Sequence, residues 1–335
     1  MCLFDVEVIN DIQRNGSFEL LGRDASGGNA FTFGTDGKVA WDQDNATTSV
    51  PIYVKSWSGD SPIDRVSGVV SWDFGDRKAI VAIMLEAYWI FGTPLAMWSP
   101  SPPSPGSRPL PTGVWLQALR DLFEAALPQL KAELSVSKFG SEADRVAFAM
   151  DTTVRLVVNN CMTGFMNGKY KKTYQQGPDW ITGVFGKSSF LLWNYCHDLQ
   201  QDGLPRHTSK CTDQAFLVEI MLGALGVAAG SANFKIPQIL LGQLVQRWVE
   251  VIPGVPVNPS DNNSFFGHVT ATYLARGGTI LDACFGPALG TQSPDQYIRD
   301  MFDPKATVTL NGTSDGPAGT NSVCCFKIAA QLASV

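Results

Sequence analysis

Three residue types that cooperate in thiol catalysis occur along the chain in the order Cys211, His268 and Asp282. Cys211 precedes a long apolar segment, His268 opens an alternating segment that predicts a strand, and Asp282 ends the next apolar segment. A thiol must become a thiolate before it attacks a carbonyl, a base must lie beside it, and a carboxylate must orient that base. The pattern therefore favours an acyl-transfer enzyme over a binding module, and it does not identify a substrate.

The segment that follows Cys211 predicts a central helix. Residues 214–226 are apolar almost all round, and a helix without a polar face is normally buried. Gly226 suits the left-handed position that ends such a helix, and Thr208 or Ser209 suits the cap at its start. Cys211 would then lie within one turn of the N-terminus, where unpaired amides and the positive end of the helix dipole favour a thiolate. The same amides are where an oxyanion hole would form.

A structural interpretation of the same residues stays open. A cysteine before a helix is most often a small buried apolar residue. Asp282 lies near the end of an apolar strand, where a buried carboxylate needs a partner. His268 could be that partner in a purely structural pair, because it is one of only three histidines in the chain and it opens the preceding strand.

The turn between the histidine strand and the aspartate strand decides whether the two side chains meet. A three-residue turn at 276–278 would place Asp282 opposite Thr272, about 13 Å along the strand from His268. A two-residue glycine turn would place the two side chains on opposite faces of the sheet. Direct pairing needs a turn centred on Ala275, with the two glycines as a bulge. We predict this bulged register, because a buried and unpaired Asp282 would be costly.

Residues 180–287 resemble the transglutaminase-like superfamily, a branch of the papain-like thiol enzymes. The resemblance rests on KCTDQAF around the cysteine, LGVAAGSANF after it, GHV at the histidine and ILDACFGP at the aspartate. It implies an α+β fold with a papain-like, transglutaminase-like catalytic core. It also implies that Cys211 is the nucleophile, His268 the general base and acid, and Asp282 the orienting acid.

The chain departs from the family pattern on both sides of the cysteine. Lys210 precedes it where the family often has glycine, and Thr212 follows it where the tissue-type branch has tryptophan. These departures, with no acidic loop dense enough for calcium, put Ca²⁺-dependent protein cross-linking in doubt. Some family members use an upstream tryptophan to hold the oxyanion. Trp180 or Trp193 could do so here, with Thr212 as a further oxyanion or substrate contact, although core packing is the alternative for the tryptophans.

Composition and turn signals predict a three-part organisation. Residues 1–99 consist of short β-branched and aromatic runs separated by glycine-containing turns, which predicts a β-rich N-terminal domain. Its strongest hairpin signal is Thr35-Asp36-Gly37-Lys38. Residues 100–112 predict a proline-rich linker, which a partner module could also bind. Residues 113–335 predict the α+β catalytic domain, with helices near 114–135, 142–159, 190–199 and 297–302.

Composition narrows the class of protein further. A hydrophobic fraction of 44% and a charged fraction of 17% predict a sizeable core. A net charge of −6 gives no reason to expect nucleic acid or an anionic membrane as a partner. The opening segment lacks a basic region and the seven cysteines have no repeated spacing, so we expect no secretory signal, mostly free thiols and a cytoplasmic location. No zinc or nucleotide motif is present, and we expect no metal and no cofactor.

The sequence therefore predicts a cysteine-dependent acyl-transfer enzyme that acts on an amide or ester through a thioester acyl-enzyme. Resolution by water would make it a peptidase or amidase, and resolution by an amine would make it a transamidase or an amide-forming enzyme. The expected partner is a peptide, a protein or a small amide or amine substrate. Two alternatives remain: an N-acyltransferase that uses an acyl-thioester donor, and a non-catalytic transglutaminase-like binding module.

Overall fold

The computed structural model describes residues 2–9, 17–24, 31–40, 47–57, 61–73, 83–92, 114–162, 173–174, 181–184, 187–190, 208–209, 211–240, 264–284, 290–302 and 307–314. These residues fall into two compact units, one up to Trp89 and one from Ile90 onward. Both helices and sheets are present, which confirms the α+β class. The papain-like core stays a prediction, and the predicted linker at 100–112 lies outside the described residues.

The first unit is built on an antiparallel sheet of six strands in the order β1-β6-β4-β3-β7-β8. Its alternating apolar residues, among them Phe31, Phe33, Val50 and Ile52, are almost fully buried, as the period-two pattern predicts. The strands of this unit are β1 (Cys2–Ile9), β2 (Ser17–Phe18), β3 (Leu21–Asp24), β4 (Phe31–Gly34), β5 (Val39–Ala40), β6 (Thr47–Trp57), β7 (Asp64–Asp73) and β8 (Ile83–Trp89).

The predicted hairpin at residues 35–38 is wrong, although a turn does form there. Strand β4 pairs with β3 and β6, whereas β5 pairs with β2, so the turn connects two different sheets. Gly37 has a φ of 84°, and the Thr35 hydroxyl donates to its carbonyl. The Thr35 amide donates to the carbonyl of Leu20, which continues the pairing of β4 with β3 by one residue into the turn. The turn residues fixed the local bend but not the strand pairing.

The second unit combines helices with a four-stranded antiparallel sheet in the order β15-β14-β13-β16. Two of its helices are close to their predicted bounds, and helix α1 continues through Pro128 to Val136. The elements in chain order are α1 (Val114–Val136), α2 (Glu142–Met162), β9 (Thr173–Tyr174), β10 (Ile181–Val184), β11 (Lys187–Phe190), β12 (Thr208–Ser209), α3 (Cys211–Ala224), β13 (Ala229–Leu240), β14 (Ser264–Tyr273), a 3₁₀ helix (Leu274–Arg276), β15 (Thr279–Leu281), α4 (Pro294–Met301) and β16 (Thr309–Ser314).

The two other helices predicted in this unit differ from their predicted bounds or lie mostly outside the described residues. Phe190, the first residue of the helix predicted at 190–199, is instead the last residue of strand β11. Residues 191–199 lie outside the described residues. The helix predicted near 297–302 is present as α4, which begins at Pro294. Its start is capped by Ser293, whose hydroxyl accepts the Gln296 amide at 3.2 Å.

Helix α3 is the buried centre of the second unit, as its largely apolar sequence predicts. Gly226 ends it with a φ of 78°, which confirms the predicted left-handed stop. The Val227 amide donates to the Leu222 carbonyl and the Gly226 amide to the Gly223 carbonyl, which is the Schellman pattern. A Cβ at residue 226 would lie 2.6 Å from the backbone nitrogen of Gly92, so glycine is required both for φ and for this close approach.

Among the residues that the structure describes, no helix combines the length and the apolar character needed to cross a membrane.

We predict that Gly226→Ala lowers the free energy of unfolding by about 2–4 kcal/mol, because the added methyl group meets backbone atoms as well as straining φ. Gly277→Ala is the matched control, since Gly277 has a similar φ of 72° but an added Cβ there would have no atom within 4 Å. Its expected cost is about 1 kcal/mol, from φ alone. Urea unfolding of both variants measures the difference, and equal losses of stability would contradict the close-approach explanation.

Candidate active site

Cys211 is the first residue of helix α3, and its side chain is buried with 8% of its surface exposed. The predicted caps lie elsewhere: Thr208 and Ser209 form strand β12, which pairs in parallel with β9. The residue immediately before the helix, at position 210, lies outside the described residues. The amides of the first turn have no partner within a helix, so the sulfur lies at the electropositive end of α3.

His268 is fully buried in strand β14, between β13 and β15 in the middle of the sheet. It is paired across the sheet with Phe234 of β13. Helix α3 packs against β14, which brings the start of the helix to the histidine. The amide of Val269, the next residue on β14, donates a hydrogen bond to the Cys211 sulfur. The strand thus contacts the thiol through its backbone as well as through the imidazole.

Asp282 follows the end of strand β15, and its carboxylate is fully buried. Its Oδ2 atom lies 3.3 Å from Nε2 of His268 and accepts the Tyr297 hydroxyl at 2.6 Å. Its Oδ1 atom accepts the Cys284 amide at 2.8 Å. Three donors therefore surround one buried carboxylate, which is the arrangement that favours its ionised form.

The predicted register of the His–Asp hairpin is wrong by two residues. Strand β15 pairs Ala271 with Leu281, and extending that register by one residue brings Asp282 opposite Thr270 rather than opposite His268. The two side chains still share one face of the sheet, offset by about 7 Å along the strand, and they meet as a diagonal pair. The connection takes five residues because Leu274–Arg276 forms a 3₁₀ turn before two left-handed glycines, Gly277 and Gly278.

The electrostatics of the site favour a thiolate–imidazolium pair. Burial raises the pKa of the Cys211 thiol, but the hydrogen bond and the charge of His268, together with hydrogen bonds from Val269 and Thr212, outweigh it, and the pKa lies below its ordinary value. Burial likewise lowers the pKa of His268, but the charge and hydrogen bond of Asp282, followed by those of Cys211, raise it to about 9. Burial raises the pKa of Asp282, yet His268 and the other donors hold it below its usual range. The three groups therefore stabilise one another's charged forms.

A second thiol in the same region has the opposite character. Cys284 is partly exposed, and its amide donates to Asp282. Burial and then the charge of Asp282 raise the pKa of its thiol well above the ordinary value. The two thiols therefore have opposite electrostatic environments, and of these two only Cys211, which interacts with His268, has a lowered pKa.

The predicted oxyanion and substrate residues have different outcomes. The hydroxyl of Thr212 makes a hydrogen bond with the Cys211 sulfur and contributes to the lowered pKa of the thiol. Its role towards an oxyanion stays a prediction. Trp180 and Trp193 both lie outside the described residues, and so do the two histidines other than His268. Within the described ranges, no three His, Cys, Asp or Glu side chains are grouped as metal ligands would be.

Tyr297 is the residue of this site that sequence analysis missed. Its segment was predicted as a helix, but nothing in the spacing linked a helical tyrosine to the aspartate fifteen residues earlier. The signal available in the sequence was the four-residue spacing of Tyr297 and Met301, which places both residues on one face of the helix. In the structure both are buried, so this is the face of α4 that packs inward.

No protein-family model matches the sequence, and no curated protein matches it. The structure is similar to the crystal structure of red sea bream transglutaminase, with 14% sequence identity and a TM-score of 0.36. The match covers 84% of this chain and 48% of that one, so this chain spans about half the length of the protein it resembles. A similarity at this level carries no functional argument, and the interpretation of the site rests on its own geometry.

We predict that iodoacetamide labels Cys211 about 10-fold or more faster than Cys284 near neutral pH, because the lowered pKa of Cys211 and the raised pKa of Cys284 give Cys211 the larger thiolate fraction. Peptide mass spectrometry after short exposures measures both rates in one sample. The His268→Gln variant is the control, and it should lose most of the advantage of Cys211. If Cys284 reacts first, accessibility rather than the imidazole contact governs reactivity, and the electrostatic account of the site is wrong.

Proposed function

We propose that this protein is a cysteine-dependent acyl-transfer enzyme of the transglutaminase-like type, with Cys211 as nucleophile, His268 as general acid and base, and Asp282 as orienting acid. The observation that carries the proposal is a fully buried imidazole that lies 3.3 Å from a buried carboxylate and interacts with the thiol at the start of α3. Its pKa is raised to about 9, while that of the thiol is lowered. A purely structural cysteine does not need a charged partner, and an uncompensated buried charge is costly.

The proposed first step forms a thioester. The thiolate of Cys211 attacks the carbonyl carbon of an amide or ester, and the carbonyl oxygen becomes an oxyanion near the amides at the start of α3. Because Nε2 of His268 faces Asp282, the transferable proton is on Nδ1. That proton passes to the departing nitrogen or oxygen as its bond to carbon breaks. The products of this step are the thioester, a neutral imidazole and a released amine or alcohol.

The second step uses the imidazole as a base. Water or an amine attacks the thioester carbonyl, and its proton moves to Nδ1 of His268. The carbon–sulfur bond then breaks, which restores the thiolate–imidazolium pair and releases an acid or a new amide. Throughout both steps Asp282 stays ionised, fixes the ring orientation and stabilises the imidazolium. The proposed substrate is a peptide, a protein or a small amide or ester.

We predict that p-nitrophenyl acetate acetylates Cys211, because an activated ester requires little leaving-group assistance and tests the nucleophile itself. Intact-mass and peptide mass spectrometry locate the acetyl group, and Cys211→Ala should abolish it. Cys284→Ser is the matched control and should retain the adduct on Cys211. An acetyl group found on Cys284, or on neither thiol, would remove the basis for the proposal and leave a binding module with the same side chains.

We predict that Asp282→Asn lowers kcat/KM for ester hydrolysis by about 10²–10⁴-fold, because the imidazolium loses its charged partner. Stopped-flow release of p-nitrophenolate measures the rate, and thermal unfolding verifies that the variant is folded. An Asp282→Asn protein that is folded and retains wild-type kcat/KM would show that the carboxylate does not assist the histidine.

We predict a bell-shaped dependence of kcat/KM on pH when the substrate is an amide, which needs a protonated leaving group. The lowered pKa of Cys211 places the rising limb below the ordinary thiol range, since the thiolate is required. The falling limb lies near pH 9, where His268 loses its proton. The two apparent values belong to the coupled pair rather than to either residue. A falling limb near the ordinary histidine value of about 6.5 would contradict the assignment of His268 as the acid.

A further inference from the structure

Tyr297 makes the shortest contact to Asp282 among its described partners. Its hydroxyl donates to Oδ2 at 2.6 Å, and Oδ2 is the same oxygen that faces His268. Its ring lies nearly parallel to the imidazole, with the centroids 6.4 Å apart and an angle of 15° between the planes. The tyrosine thus contacts both the carboxylate and the imidazole, and its own side chain is fully buried.

The segment that carries Tyr297 is tied to the strand that carries Asp282. The Ile280 amide donates to the Gln292 carbonyl at 2.8 Å, and the Gly290 amide donates to the Ile280 carbonyl at the same distance. The Thr279 hydroxyl adds a third hydrogen bond, to the Gly290 carbonyl. These bonds extend the edge of the sheet beyond β15 and place the start of α4 beside it. The helix then presents its buried residues to the sheet face that holds the carboxylate.

We propose that Tyr297 is a positioning residue that holds Asp282 ionised and correctly oriented, and so acts through His268 on the acidity of Cys211. The inference rests on the proposed role of Asp282 as the orienting acid. Without the hydroxyl, Oδ2 would lose the shorter of its two described hydrogen bonds, and the carboxylate would be held less firmly against rotation while the Cys284 amide still binds Oδ1. A less strongly held Asp282 carboxylate stabilises the protonated form of His268 less. A smaller protonated fraction of His268 in turn stabilises the thiolate of Cys211 less.

Several titratable groups surround this chain of contacts. Burial raises the pKa of Tyr297 well above its ordinary value, with Asp282 as the next cause, so the phenol remains a donor through the working range of a thiol enzyme. The other groups whose charges act at Asp282, Tyr297 or the neighbouring Cys284 are Cys211 and Asp213 of α3, Cys161 of α2, His268 of β14 and Cys284 itself. None of these is altered when the tyrosine is replaced by phenylalanine.

The test compares Tyr297→Phe with Phe302→Leu by the pH dependence of the rate at which iodoacetamide alkylates Cys211. Phe302 packs edge-on against Tyr297, with ring centroids 6.1 Å apart. The Phe302→Leu substitution removes this aromatic ring and no donor to Asp282. Both variants disturb the same aromatic packing, but only Tyr297→Phe removes the donor to Asp282. In the low-pH part of the rate profile, where the rate rises with the thiolate fraction of Cys211, Tyr297→Phe should slow alkylation about 3- to 10-fold. This acidic limb of the profile should also move to higher pH. Phe302→Leu should lower the melting temperature and leave the limb in place.

Two results would overturn the inference: a Tyr297→Phe profile that superimposes on that of the unaltered protein, or an equal displacement in Phe302→Leu. Failure of the proposed function looks different, because Cys211 of the unaltered protein would then react as an ordinary thiol or form no acyl adduct. A displaced acidic limb in Tyr297→Phe alone, measured without any substrate, supports the positioning role and does not depend on the identity of the substrate.

Discussion

The buried pair of His268 and Asp282 is the interaction on which the rest of the site depends. Both side chains are fully buried, and burial alone would neutralise each of them. Their charges persist because Asp282 accepts the Tyr297 hydroxyl and the Cys284 amide as well as the imidazole. The resulting imidazolium lies against the Cys211 thiol and favours its thiolate. Acidity at the sulfur is therefore set by a chain of contacts that begins several side chains away.

The fold supplies this chain from four separate elements. The N-terminus of α3 places the thiol, the middle of β14 places the imidazole, the end of β15 places the carboxylate, and α4 places the phenol. Backbone hydrogen bonds fix the last two elements to each other, and the left-handed Gly226 fixes where α3 ends. Small displacements of these elements would separate groups that interact only at hydrogen-bonding distance. A buried centre suits a site that must hold charge away from water.

Sequence analysis could identify the three polar residues because each is an exception in its surroundings: a thiol before an apolar helix, and an imidazole and a carboxylate in apolar strands. It could also place the end of α3, since only Gly226 suits a left-handed position there. It could not determine the register of the hairpin. The 3₁₀ turn at Leu274–Arg276 depends on a backbone hydrogen bond from Gly277 to Leu274, which the residue types do not specify. The role of Tyr297 depends on tertiary packing, as does the failed hairpin at residues 35–38, whose strands found other partners.

The most direct test of this account is the pKa of His268, measured by nitrogen NMR of the protein labelled at its histidines and assigned with the His268→Gln variant. The account predicts that the ring stays protonated until about pH 9 and that both ring nitrogens carry hydrogen across the neutral range. A ring that loses its proton at or below the ordinary value of about 6.5 would contradict it, because burial would then have prevailed over the carboxylate and no imidazolium would stabilise the thiolate.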